Sequence, residues 1–195
     1  IYFKYMHNKV FYDTTFENQI FGFEDLIPGE YESCEFHGCS ISQNELKNYK
    51  FLDCNFKDCN LSNANVSDTS FQNVGFQDCK LLGVAWDQCN TFGLQVAFYN
   101  CIMDHSSFYS MKMPQTKWEG CQLNEADFTA AELKGASFAA SNMAGAVFDQ
   151  TQLNEANFID ATNLIINPVE NNIRKAFFSR DQLEGLLLQY NIRIK

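Results

Sequence analysis

The sequence predicts a repeat fold, in which one chain coils round an apolar interior and turns a corner every five residues. Three observations predict it. The first is a column of large apolar residues at every fifth position: Phe16, Phe21, Leu26, Tyr31, Phe36, Ile41, Leu46, Phe51, Phe56, Leu61, Val66, Phe71, Phe76, Leu81 and Trp86. After a slip of two residues it resumes at Phe98, Met103, Phe108, Met113 and Trp118 and runs to Phe158. The second is a column of small residues two positions before each of these, which contains all 8 cysteines. The third is composition. Of 19 Phe in 195 residues, 14 fall on the frame once it is extended back to Phe11, while Gly and Pro number only 10 and 3. The chain therefore reverses direction without the usual turn residues. A period of five fits neither a helix, at about 3.6, nor a flat strand, at about 2. It fits one large and one small side chain pointing inward on each side of a coil.

The units Cys54-Asn55-Phe56, Cys59-Asn60-Leu61, Ala64-Asn65-Val66, Ala126-Asp127-Phe128 and Ala156-Asn157-Phe158 resemble the A(D/N)LXX pattern of pentapeptide repeat proteins. The resemblance implies an all-β fold, a right-handed quadrilateral β-helix with four pentapeptides per coil. Coils stacked about 4.8 Å apart make seven or so coils a rod of roughly 35 Å. Each coil buries its interior only against its neighbours, so stability accumulates along the axis.

The elements follow in order. Residues 1–10 are aromatic and out of pattern, as expected of an N-terminal cap over raw strand edges. Residues 11–163 form the repeat. Its frame slips at 87–97, where Thr91 and Phe92-Gly93 read as a short bulge or loop at one corner. Tyr49 and Met111 are large for the small column, and Gln19, Glu24 and Asn44 are polar for it, so local distortion is expected there. Residues 164–195 read as a capping or dimerisation module. Ser179 and Gln182 make a capping box ahead of Leu183, Leu186, Leu187 and Tyr190, which follow at helical spacing. A short α-helix is expected over about 180–189, with Asn191 as a left-handed stop and Ile192-Arg193-Ile194 as a brief strand.

Chemistry-bearing patterns are sparse. The cysteines are spaced by the repeat and lack the C-x₂-C spacing of zinc sites, so they read as buried thiols rather than metal ligands. Members twenty apart, such as 34 and 54 or 101 and 121, stack in adjacent coils with parallel side chains, an awkward geometry for a disulfide. Inward thiols suit a reducing cytoplasm. His7, His37 and His105 stand outside any constellation with a nucleophile and a carboxylate, and no nucleotide loop or nucleophile elbow occurs. A regular convex rod offers no cleft that excludes water, so neither an enzyme nor a cofactor or metal site is expected. No stretch approaches the roughly 18 apolar residues of a membrane span, and membrane association is not expected.

Charge points to a partner. The net charge of −10 separates along the chain: residues 11–163 hold 21 acids and 7 bases, a net of −14, while the flanks carry a net of +4. Such a rod repels phosphate backbones, which argues against direct nucleic-acid binding and for basic partners. The twenty-residue stacks place Asp25 over Glu45 and Asp58 over Asp78, the candidate contacts of an acidic face. The tail and the segment around Trp86 resemble the Qnr and MfpA branch of the family, although the long projecting loops of that branch are missing. That resemblance implies a DNA mimic that occupies the DNA-binding saddle of DNA gyrase or topoisomerase IV and alters the response to quinolones. It also implies a homodimer through the C-terminal module, to which Phe177, Phe178, Leu183, Leu186, Leu187 and Tyr190, with Leu188, would contribute. The alternatives are a general interaction scaffold and an immunity protein against a gyrase poison.

Overall fold

The structure is a computed structural model, and it describes residues 9–22, 26–42 and 46–193. The chain winds as a right-handed parallel β-helix with four faces, each named here for its first large inward residue. On the Phe11 face, strands Lys9–Tyr12, Gly29–Glu32, Lys50–Leu52 and Ser70–Gln72 form a parallel four-stranded sheet. On the Phe16 face, Thr15–Glu17, Glu35–His37, Asn55–Lys57, Val74–Gln77, Val96–Tyr99 and Lys117–Glu119 form a six-stranded one. Isolated parallel bridges such as Ser40↔Asn60 and Ser107↔Asp127 continue the ladder on the Phe21 and Leu26 faces. Register advances by twenty residues per coil and by twenty-two once, at Phe76↔Phe98. The slip thus adds residues to one coil while the interior columns of the other three faces stay aligned, and on the Phe11 face it turns Thr91 outward.

Alignment of the columns holds the rod together. Phe16, Phe36, Phe56, Phe76, Phe98, Trp118, Phe138, Phe158 and Phe178 stack ring on ring, with centroids 4.5 to 6.0 Å apart. A second column runs Trp86, Phe108, Phe128, Phe148. The two meet edge to face, as at Phe108 with Trp118, 5.4 Å and 84°. Stacked contacts along each column and edge contacts between columns are the arrangements that aromatic quadrupoles favour.

Corners explain the scarcity of glycine. The second residue after most large inward ones adopts left-handed φ, as at Asp53, Asp58, Asn63, Asp68, Asn73 and Asp78. In the first half of the rod Asn and Asp, whose short polar side chains tolerate this region, do what glycine does in ordinary turns, while later corners also use Gln115, Glu125, Ala130 and Ala140. The turn signal was present in the sequence, spread over residues that also read as surface charge.

The small column does more than fill space. Cys39, Cys59, Cys79, Cys101 and Cys121 stand one above another, and each thiol donates to the carbonyl of the large residue one coil earlier, at 3.3, 3.2, 3.3, 3.5 and 3.6 Å. Ser141 continues the series to Trp118 O at 2.7 Å. Elsewhere Ser106, Thr151 and Asn171 make the same bond. Tyr49 makes it with its phenol to Leu26 O, so a residue too large for the column is held by the column's own hydrogen bond. Thiol-to-thiol hydrogen bonding and burial push Cys79 and Cys101 up to about 12, so they stay protonated donors across the physiological range.

A prediction follows for Cys79. Cys79→Ser keeps a donor to Phe56 O and should hold stability within about 1 kcal/mol, whereas Cys79→Ala loses the donor and leaves a gap, costing roughly 1–2 kcal/mol in urea unfolding. Because the folded thiol titrates above the unfolded one, its contribution is intact below about pH 9 and is lost as pH rises toward 12. Cys79→Ser should flatten that alkaline fall. Equal stability of the Ser and Ala variants would remove the hydrogen-bonding role.

The coil ladder does not stop at residue 163. Bridges Gln152↔Asn172 and Asn157↔Phe177 carry it one coil further, through residues whose sequence loses the five-residue frame. The off-frame Leu164 and Ile166 supply the burial there in place of Asn163 and Pro168, which hold the frame positions. At the other end Lys9 and Val10 already belong to the first strand, and residues 1–8 of the expected cap lie outside the described residues. Gln19 is exposed, its carbonyl accepting from Ser40 N, and Glu24 and Asn44 lie outside the described residues. Met111 is buried beside the slip.

The tail forms a helical segment: a 3₁₀ turn Arg180–Gln182, the helix α1 Leu183–Leu187 and a second 3₁₀ turn Leu188–Tyr190. Both halves of the Ser179/Gln182 capping box are made, and Asn191 ends the segment at φ 49°. Ile192 and Arg193 form no strand, and Ile194 lies outside the described residues. Gln182 is buried, and its Nε2 donates to Phe158 O and Ala161 O, both at 2.6 Å. It thereby satisfies carbonyls that a further coil would otherwise have met. Among the described residues no helix is long and apolar enough to cross a membrane.

Candidate interaction surface

The four faces differ in charge. On the Phe11 face lysines answer glutamates from coil to coil: Lys50 with Glu30 at 3.6 Å, Lys112 with Glu132 at 3.0 Å and Lys134 with Glu155 at 3.8 Å. The twenty-residue register dictates these pairs, because Glu30↔Lys50 and Lys112↔Glu132 are ladder partners. They are exposed and contribute little stability, but they cancel the field of that face.

The Leu26 face is different. Bridges Ala85↔Ser107, Ser107↔Asp127 and Asp127↔Val147 line up consecutive coils, and the face carries the half-buried Asp87, Asp127 and Asp149 around the exposed Tyr109, with Asp87 Oδ1 turned away from solvent. Among the described residues no cation lies within ion-pair distance of these three carboxylates. Their hydrogen bonds are local: Asp127 Oδ1 accepts from Thr129 N at 2.8 Å, and Asp87 Oδ2 from Gln88 Nε2 at 2.8 Å. The structure thus separates a neutralised face from a carboxylate-bearing one.

Asp58 and Asp78 sit at successive corners between the Phe16 and Phe21 faces, both with φ 54°. Their backbone N–H groups donate to Gln77 O and Tyr99 O in the next coil. Both acids therefore have a structural reason to be where they are, as residues that tolerate a left-handed corner. Asp25 and Glu45 lie outside the described residues. Sequence reasoning passed over Asp87, Asp127 and Asp149. They lie directly beside large inward residues, where corner geometry makes no demand, and sorting acids both by position within the five-residue unit and by side of the coil would have grouped them with Asp25 and Glu45.

The tail residues divide. Phe178 faces inward and stacks on Phe158 at 5.2 Å, so it extends the core, while its neighbour Phe177 is 58% exposed. Leu186 packs on the core. Leu183, Leu188 and Tyr190 are about half exposed, Leu187 is partly buried, and Ile165 and Val169 add to an apolar end of the rod. Among the described residues no group of three or more His, Cys, Asp or Glu is placed to hold a metal ion, and all eight cysteines are free and buried.

Family models match most of the repeat. The family described as pentapeptide repeat region matches residues 30–108, and pentapeptide repeats (8 copies) match 114–142 and 131–162. No curated protein matches. Among solved structures, full-length QnrB1, a plasmid-mediated fluoroquinolone resistance protein, is 13% identical over 94% of this chain and 100% of its own, with a TM-score of 0.44. HetL, involved in heterocyst differentiation regulation in the cyanobacterium Nostoc sp. strain PCC 7120, is 11% identical over 86% of this chain and 84% of its own, with a TM-score of 0.27. Rfr23 from the cyanobacterium Cyanothece 51142 is 15% identical over 65% of this chain and 61% of its own, with a TM-score of 0.26. With the five-residue frame, the stacked columns and the left-handed corners all in place over the matched residues, this chain belongs to the pentapeptide repeat family.

Proposed function

We propose that this protein is a non-enzymatic acidic rod that competes with DNA for the basic surface of a type II topoisomerase, DNA gyrase or topoisomerase IV, and so modulates quinolone susceptibility. The observation that carries the reading is the row of carboxylates on the Leu26 face that no cation among the described residues answers. Carboxylates stepped along a stiff rod can meet the lysines and arginines that otherwise neutralise phosphates, and such binding weakens steeply with salt. The exposed apolar end formed by Phe177, Leu183, Leu188 and Tyr190 supports pairing of two rods into a homodimer. The interior thiols suit the cytoplasm.

The test is a gyrase supercoiling assay with and without ciprofloxacin, titrated with this protein. Inhibition of supercoiling or reduced drug-induced cleavage is expected, together with loss of the effect as salt rises. Asp127→Lys with Asp149→Lys should weaken the effect at least tenfold. Asp58→Asn with Asp78→Asn removes charge yet keeps residues that tolerate the corner, and reports the contribution of that edge. No effect at tens of micromolar would leave the second reading, a protein interaction scaffold. That reading is favoured by the corner positions of Asp58 and Asp78, where acidity serves the backbone.

A further inference from the structure

A different face carries a second site. On the Phe16 face the residue just before each large inward one runs Glu35, Asn55, Gly75, Ala97 and Lys117 through successive coils. Two consecutive coils therefore send out no side chain of any size. Beside them the frame slip inserts a turn, in which Gln95 N donates to Phe71 O at 3.0 Å and Leu94 packs on the core. Missing side chains and the inserted turn together leave a groove of about 460 Å³ along the rod axis, with Gly75 and Ala97 as its floor. That volume lies within the usual range of ligand sites, about 300–1,000 Å³.

The groove has two charged ends. Asp53 stands at one and Lys117 at the other, and among the described residues neither forms an ion pair. Asp53 Oδ1 accepts from Asn73 Nδ2 at 2.6 Å, and Lys117 Nζ lies 5.9 Å over the Tyr99 ring. Between the ends, Gln95 and Gln115 line one wall with carboxamides, each of which offers both a donor and an acceptor. The ends are three coils apart, roughly 14 Å at the spacing of hydrogen-bonded strands. An extended chain covers that distance in about four residues, and residues four apart on an extended chain point the same way.

We propose that this groove binds an extended peptide segment, with a basic side chain at Asp53 and an acidic one four residues away at Lys117. Carboxamides along the wall pair with the peptide's own amides, and the two ion pairs set its register. The site is separate from the acidic Leu26 face and stands or falls independently of the topoisomerase reading.

The test is panning of the full chain against phage-displayed random heptapeptides, followed by fluorescence polarisation with labelled peptides from the selection. Enrichment of Lys or Arg four residues from Asp or Glu is expected. Ala97→Gln should weaken binding at least tenfold by filling the floor. That variant should fold, because the same register position holds Glu35, Asn55 and Lys117 in other coils, and an unchanged thermal melt checks it. Asp53→Asn and Lys117→Gln should each weaken binding about tenfold and relax the charge preference at one end of the peptide only. Absence of enrichment, equal binding to the Ala97→Gln variant, or recognition of oligosaccharides on a glycan array in place of peptides would each overturn the proposal.

Discussion

Phe56→Asp is expected to leave a chain that does not fold cooperatively. The Phe56 ring is buried between Phe36 at 4.5 Å and Phe76 at 5.0 Å and meets Phe51 edge-on at 5.4 Å. Truncating a core phenylalanine costs about 3–5 kcal/mol. A carboxylate in its place has no cation within the apolar core, so it adds several kcal/mol of desolvation or must stay protonated at a similar cost. The total is comparable to the whole stability of a domain, about 5–15 kcal/mol. Position matters as well, because a solenoid transmits stability only between neighbouring coils, and a break at this coil separates the first turns from the rest. Far-UV circular dichroism and size exclusion should show loss of the sharp transition and aggregation. A soluble variant with an unchanged melting temperature would refute the interior assignment.

Gly185→Ala should undock the C-terminal helix, against the direction that helix propensity predicts. Alanine is favoured over glycine within a helix by about 1 kcal/mol. Here, however, a Cβ on residue 185 would sit 1.9 Å from Leu164 O and 3.1 Å from its carbonyl carbon, both backbone atoms. Helix and coil are in direct contact at that point, with Ile166 N donating to Gly185 O at 3.4 Å. Leu164 is itself buried in the last coil, so the helix moves away from it, and the bonds from Gln182 to Phe158 O and Ala161 O go with it. Overpacking of this kind costs roughly 1–3 kcal/mol. Hydrogen exchange should rise first in residues 180–190. If that end pairs two rods, light scattering should return a dimer for the native chain and a monomer for the variant. A Gly185→Ala protein as stable and as associated as the native one would show that the close approach does not constrain the tail.

Much of this molecule was legible because each coil repeats the same demand. One large and one small position per side must be buried, so hydrophobicity alone reveals the period, the columns and the slip at 87–97. The capping box was equally local: Ser179 and Gln182 meet within one turn, and their bonds need no distant partner. Legibility failed where the frame was lost but burial continued. Residues 164–178 add a coil in which Leu164 and Ile166 are buried in place of the frame residues Asn163 and Pro168, and the frame returns only at Ile173 and Phe178. Phe177 and Phe178 are neighbours of one type, yet Phe178, twenty residues after Phe158, continues the stacked column while Phe177 stays outside.

By itself the sequence determined the coil, because interior burial recurs every five residues and leaves its mark on composition. Only the tertiary structure decided which charges meet. Coil stacking brings together residues twenty apart, or twenty-two at the slip. That register pairs Glu30 with Lys50 on one face, leaves Asp87, Asp127 and Asp149 on another with no cation among the described residues, and sets Gly75 beneath Ala97 to open a groove. Each of these outcomes depends on the neighbour one coil away, and electrostatics and shape act between such neighbours however far apart they lie along the chain.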